Sequence, residues 1–143
     1  MSENFVQLMY LSSAKPELKQ SDLDGIIEAS RRNNPSMDIT GLLIYADGIF
    51  IQVLEGPSEA VHTLYEKIRD DRRHQDVAII AEYLDQERLF PNWSMAFIQP
   101  SFDEITKISN TVEMLNRDDV ISMLSGDKSR ASDFLRKFAE YLG

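Results

Sequence analysis

Ile39-Thr40-Gly41-Leu42-Leu43-Ile44-Tyr45-Ala46-Asp47-Gly48-Ile49-Phe50-Ile51-Gln52-Val53-Leu54 decides the fold. Two apolar runs of β-type residues, 39–45 and 49–54, flank Ala46-Asp47-Gly48, and an Asp-Gly pair between such runs is a strong hairpin signal. Two antiparallel neighbours are expected. Upstream, Phe5 to Leu11 is apolar on both faces with no breaker inside, which fits an inner strand. Between it and the hairpin, Ser21-Asp22-Leu23-Asp24 offers a capping residue and first-turn acids. Leu23, Ile26, Ile27 and Ser30 then follow at helical spacing. This first helix should run to about Arg32 and stop at Asn33-Asn34-Pro35-Ser36, because asparagine tolerates left-handed backbone and the residue before proline is pushed out of the helical region.

Downstream, Glu55-Gly56-Pro57-Ser58-Glu59 punctuates the chain. Ala60, Val61, Leu64, Tyr65 and Ile68 then give a second amphipathic helix ending near Asp71. Val77 to Tyr83 and Trp93 to Ile98 read as two further strands, joined through Asp85 to Asn92. The order β-α-β-β-α-β-β most simply gives an α+β sandwich of ferredoxin-like character, a mainly antiparallel sheet with both helices on one face. After Pro100 the chain becomes richer in Ser, Asp, Asn and Lys, with apolar residues helically spaced at Ile105-Ile108, Val120-Met123 and Phe134-Phe138. A domain over 1–100 with a C-terminal helical extension over 101–143 follows. That extension would cover the sheet face the two helices leave bare, or serve output and self-association.

With 143 residues the chain suits one domain plus a tail. It has no cysteine, so disulfides, thiolate nucleophiles and Cys-based zinc sites are excluded. Residues 1–7 lack the basic start and apolar stretch of a secretory signal, and no run approaches the roughly 20 apolar residues that span a bilayer. A soluble, cytoplasmic protein without a membrane partner is expected. A net charge of −9, from 24 acidic and 15 basic side chains, repels phosphate backbones and argues against direct nucleic-acid binding.

Several polar residues ask for partners. Gln52 puts a primary amide inside an apolar strand, where an unpartnered amide costs about 1 to 3 kcal/mol. It must bond to a neighbouring strand, a backbone group, water or a bound polar ligand. Tyr10 has the same ambiguity, but together the two could form a phenol-to-amide bond beneath a planar ligand, which a purely structural core does not require. Asn34 either ends a helix or offers a donor and an acceptor to a ligand. Lys67-Ile68-Arg69-Asp70-Asp71-Arg72-Arg73-His74 is a basic cluster that either complements a helix C-terminus or grips phosphate. Trp93, Met95 and Phe97 alternate as core residues do. His62 and His74 are far apart in sequence, and no Gly-x-Ser-x-Gly or Walker pattern occurs. No standard catalytic constellation emerges, and the chain is expected not to be an enzyme.

Taken together, Tyr10, Arg31-Arg32-Asn33-Asn34, Asp38-Ile39-Thr40-Gly41-Leu42-Leu43-Ile44-Tyr45, Phe50-Ile51-Gln52-Val53-Leu54-Glu55-Gly56, Asp71-Arg72-Arg73-His74 and Phe90-Pro91-Asn92-Trp93-Ser94-Met95 resemble the BLUF family of flavin-based blue-light receptors. The match covers about residues 4–100. Several separated motifs in order are far more specific than any one of them. The resemblance implies a non-covalent FAD between the two helices, with Tyr10 as photochemical donor, Gln52 as the rearranging amide and Asn34 as a partner of the flavin carbonyl edge. It further implies that Ile26 packs on the ring and that Asn33, Lys67, Arg73 and His74 contact the ribityl and phosphate groups. Trp93 and Met95 would carry the change into the last strand. A segment as short as 101–143 is too small for an ordinary catalytic domain, so output would pass to a downstream protein partner or through a homo-oligomer. Three rivals use the same fold or cofactor, the main one a flavin-binding scaffold within the family whose light response is weak or irrelevant. A small phosphoryl-binding hydrolase would use Asn34 and an arginine. A flavin oxidoreductase would need a nicotinamide site that the sequence lacks.

Overall fold

The computed structural model describes residues 4–84, 87–91, 94–110, 116–126 and 128–142. Its elements in chain order are β1 (Phe5–Ala14), α1 (Gln20–Asn33), a 3-10 turn (Asn34–Met37), β2 (Thr40–Ala46), β3 (Ile49–Pro57), α2 (Ser58–Arg69), β4 (His74–Leu84), β5 (Ala96–Ile98), α3 (Phe102–Ser109), α4 (Arg117–Gly126) and α5 (Lys128–Leu142). The expected β-α-β-β-α-β-β order and the helical extension are both present.

The hairpin forms where its turn residues dictate. Asp47 and Gly48 both have positive φ, 43° and 82°, the backbone of a tight turn whose twist matches the strands on either side. β2 and β3 then pair antiparallel from Ala46 opposite Ile49 to Thr40 opposite Glu55. Gly41 allows the close pairing, since a Cβ there would collide with the Val53 carbonyl. The sheet order is β4-β1-β3-β2-β5, antiparallel except for the parallel β2–β5 pair. β1 and β3 are therefore interior strands, as their lack of alternation predicts.

Two apolar layers separate by strand parity. Leu8, Tyr10, Leu43, Phe50 and Leu54 pack with Leu23, Ile26 and Ile27 of α1 and Val61 of α2. On the opposite face, Met9, Leu42, Ile44, Ile51 and Val53 pack with Ile105, Val120, Leu124, Phe134 and Phe138 of the C-terminal helices. The extension thus covers the face the first two helices leave bare. Among the described residues, no helix is long and apolar enough to cross a membrane.

Three boundaries differ from the sequence expectation in position or geometry. α1 begins at Gln20, and the Lys19 amide donates to the Asp22 carboxylate at 2.9 Å, so Ser21 lies inside the first turn. The first helix ends at Asn33, within the expected stretch, but without a left-handed asparagine, since Asn34 keeps helical backbone (φ −61°). The chain continues through a 3-10 turn that admits Pro35 at its start and ends at Asp38, the residue that adopts the left-handed conformation (φ 56°). The last strand begins at Ala96 rather than at residue 93, because side chains of the α1 end take the backbone carbonyls just before it. Asn34 Nδ2 donates to the Ser94 carbonyl at 2.7 Å and Arg31 Nε to the Met95 carbonyl at 3.2 Å. The expectation for Trp93 lies outside the described residues.

Phe138, wholly buried between α5 and the sheet, reports on this packing. Phe138→Ala is expected to lower the unfolding free energy by about 3 to 5 kcal/mol in urea titrations followed by far-UV circular dichroism.

Candidate functional site

Antiparallel register sets Tyr10 directly opposite Gln52 on neighbouring interior strands. Both side chains point to the face covered by α1 and α2, and both are buried. The Tyr10 hydroxyl donates to Gln52 Oε1. Gln52 Nε2 points to Met95 Sδ at 3.6 Å, a weak acceptor that holds the amide only loosely. The amide is thus firmly bonded at its oxygen and weakly at its nitrogen. Tyr65 of α2 meets the Tyr10 ring edge-on, with centroids 5.2 Å apart and an interplanar angle of 70°. Burial raises the Tyr10 phenol well above its usual 10.0, and the neighbouring Tyr65 adds to the rise, so the hydroxyl keeps its proton.

Beyond Gln52 a cleft of about 230 Å³, open to solvent, runs between α1 and α2. Ile26, Ala29 and Ser30 form one wall, and Leu64, Lys67 and Ile68 the other. The buried Gln52 and Asn34 and the exposed Asn33 also line it, as do Asp71, Arg73 and His74. Apolar walls with a few amides suit a planar heterocycle bearing donors and acceptors along one edge. Seven residues expected from the resemblance, Ile26, Asn33, Asn34, Gln52, Lys67, Arg73 and His74, therefore line one cleft. Tyr10 lies behind Gln52 rather than among the lining residues.

Two of these residues have partners that the sequence does not advertise. Arg73 forms a forked pair with Asp71, Nε to Oδ1 at 3.0 Å and Nη2 to Oδ2 at 2.6 Å. The hydrogen bonds from Arg73 hold the Asp71 carboxyl below its usual 3.8 and raise Arg73 in return, so the guanidinium is balanced within the chain. Lys67 is the other cation lining the cleft. His74 is buried, with Nδ1 3.1 Å from Ser12 Oγ and its ring 4.7 Å from that of Phe50. Burial lowers its pKa below the usual 6.5, with Asp71 opposing and Arg73 reinforcing the shift. Among the described residues, no group of three or more His, Asp or Glu side chains could hold a metal. Arg31, grasping the Met95 carbonyl, was missed as a site residue because nothing local distinguishes it from an ordinary helix-end arginine.

Residues 5–96 match the BLUF family, described as sensors of blue-light using FAD. Over 89 residues, 62% of the chain, it is 42% identical to photoactivated adenylate cyclase subunit beta of Euglena longa. Over 108 residues, 76% of the chain, it is 37% identical to photoactivated adenylate cyclase subunit beta-like protein FB of Euglena gracilis. These alignments span only 10% and 11% of the relatives' own lengths. Among solved structures, BlsA in its photo-activated state superposes with a TM-score of 0.81 at 30% identity, covering 94% of each chain. The dark-state BLUF protein BlrB gives 0.80 at 27% identity over 99% of each.

The lowered His74 pKa fixes a pH dependence. The unfolded chain takes up a proton near 6.5 while the folded chain resists it, so this contribution to stability is complete above 6.5 and is lost progressively as pH falls below it. Urea midpoints of the purified protein should drop between pH 7.5 and 5.5, and His74→Gln should flatten that part of the profile.

Proposed function

The chain belongs to the BLUF family, flavin-binding sensors of blue light, and on that premise we propose that FAD binds in the cleft between α1 and α2 with Tyr10 and Gln52 as the light-operated switch. The observation that carries this reading is the buried Tyr10–Gln52 hydrogen bond, whose glutamine also lines the cleft. Residues 1–100 would be the photosensor and 101–143 the output or oligomerisation segment.

The residues present fit a flavin. Ile26, Leu64 and Ile68 offer apolar walls, and Asn33, Asn34 and Gln52 offer amides. Lys67, with His74 and the Asp71-paired Arg73, would serve the ribityl and phosphate end. When bound, the flavin supplies blue absorption and redox chemistry, while the protein supplies position and hydrogen bonds. Tyr10, protonated in the dark, would give an electron and its phenolic proton to the bound flavin on excitation and take both back afterwards. While the proton is away, the bond that fixes Gln52 Oε1 is lost, and the amide, weakly held at its nitrogen by Met95, rearranges. It settles with a new hydrogen bond directed into the cleft, which shifts absorption to the red.

A switch moves populations only through contacts that differ between its states. Here the contact at risk is Gln52 with Met95, whose backbone is held by Arg31 and precedes β5. The change would pass from Met95, with Trp93, into β5 and the C-terminal helices, and from there to a downstream protein or an assembly of copies. No substrate is turned over in this scheme. The cyclase relatives couple light to an output of their own, and here a separate partner would take that place.

An absorption spectrum before, during and after blue illumination tests the reading, with a reversible red shift expected. Tyr10→Phe and Gln52→Ala should remain yellow and lose that shift, and retention of it in either would refute the mechanism. Flavin released by heat and separated by chromatography should be FAD, and FMN as the main species would overturn that part.

A further inference from the structure

The connection from β4 to β5 carries the chain from one edge of the sheet to the other, outside any strand ladder. Its backbone donors still need acceptors wherever they are buried. At Leu89 and Phe90, Glu55 supplies them. This side chain, fully buried, leaves β3 on the face that the C-terminal helices cover, with Ile51 and Val53. Its Oε1 accepts from the Phe90 amide at 2.8 Å, and its Oε2 accepts from the Leu89 amide at 2.8 Å and from Gln7 Nε2 at 2.7 Å. Arg88 straps the same segment from outside, with Nη1 to Thr40 Oγ1 at 2.8 Å and to the Glu55 carbonyl at 3.1 Å, and Nη2 to the Asp38 carbonyl at 2.9 Å.

A buried carboxylate is a poor choice for stability alone, since an apolar side chain of similar volume avoids its desolvation cost. What it provides is position. The segment gripped by Glu55 at residues 89 and 90 returns on the cleft side at residues 94 and 95, where Asn34 and Arg31 hold the two carbonyls. Met95 is therefore held at its own carbonyl by Arg31 and follows, by five residues, the Phe90 amide that Glu55 holds, and its thioether is what meets the Gln52 amide. We propose that Glu55, three residues along β3 from Gln52 and on its other face, is a positioning residue of the light switch. Its carboxylate fixes the crossover connection and so sets the contact between Gln52 and Met95. This inference rests on the Tyr10–Gln52 reading above.

Glu55→Gln, made in the full flavin-loaded chain, tests it. The amide is nearly isosteric but replaces one accepting oxygen with a donor, which must face an N–H group. Flavin content and the reversible red shift should persist, while the dark recovery rate changes about threefold or more. In a Met95→Ala chain the same substitution should have no further effect on recovery. A merely structural role would lower the unfolding midpoint and leave recovery unchanged, or change it by the same factor in both backgrounds, and either result overturns the proposal. If Glu55→Gln does not accumulate as folded protein, Arg88→Gln loosens the same segment from its outer side. Recovery unchanged by Arg88→Gln would overturn the proposal, and recovery altered only when Met95 is present would support it. A wild-type chain that binds flavin without any red shift refutes the underlying switch and this proposal with it, and that failure is recognised before any variant is made.

Discussion

A single hydrogen bond, from the Tyr10 hydroxyl to the Gln52 amide oxygen, organises the molecule. It spans two neighbouring interior strands of the sheet at a register position where their Cα atoms face each other. Both faces of these strands are covered, so neither polar group has bulk water as an alternative partner. In such surroundings a satisfied pair is rigid and an unsatisfied one is costly, which makes the bond sensitive to a change in either member. The amide completes its bonding only through a thioether, and this asymmetry leaves it able to respond.

The remaining structure serves that position from two sides. α1 and α2 diverge enough to leave a cleft lined in part by Gln52, and α3, α4 and α5 seal the opposite face with aromatic and aliphatic side chains. Two adjacent serines of β1 join these layers to the strand. Ser12 meets His74 on the cleft side, while Ser13 Oγ accepts from Arg117 Nη2 of α4 at 2.5 Å. Strand parity sends neighbouring side chains to opposite faces, so one short stretch of backbone touches both the candidate ligand site and the C-terminal helices. The crossover between β4 and β5 is treated in the same way, with Glu55 and Arg88 holding one part and Asn34 and Arg31 the other.

Much of the fold was legible in the chain because its signals are local. The Asp47-Gly48 turn, the helical spacing of Leu23, Ile26 and Ile27, and the unbroken apolar character of β1 each depend on residues close in sequence. Errors arose where a distant group decided the outcome. β5 starts later than the strand pattern predicts because carbonyls 94 and 95 are taken by Asn34 and Arg31, roughly sixty residues earlier. Glu55 looked like punctuation after a strand, yet it is a buried acceptor for the Phe90 amide 35 residues away. Arg73 looked available for an anion, yet Asp71 two residues before it holds its fork.

By itself the sequence determined which segments are strands and helices, which residue types face inward, and that one amide and one phenol would need partners inside an apolar sheet. Periodicity and desolvation act on residue type and spacing alone, so these features follow without knowledge of contacts. Only the tertiary structure decided that the phenol and the amide are each other's partners, that the amide nitrogen falls to a thioether, and that the helical tail closes the sheet rather than leaving it bare. Register, crossover path and side-chain direction are set by groups far apart in the chain. Such choices are made only once the layers pack, when each buried donor must find an acceptor within about 3 Å.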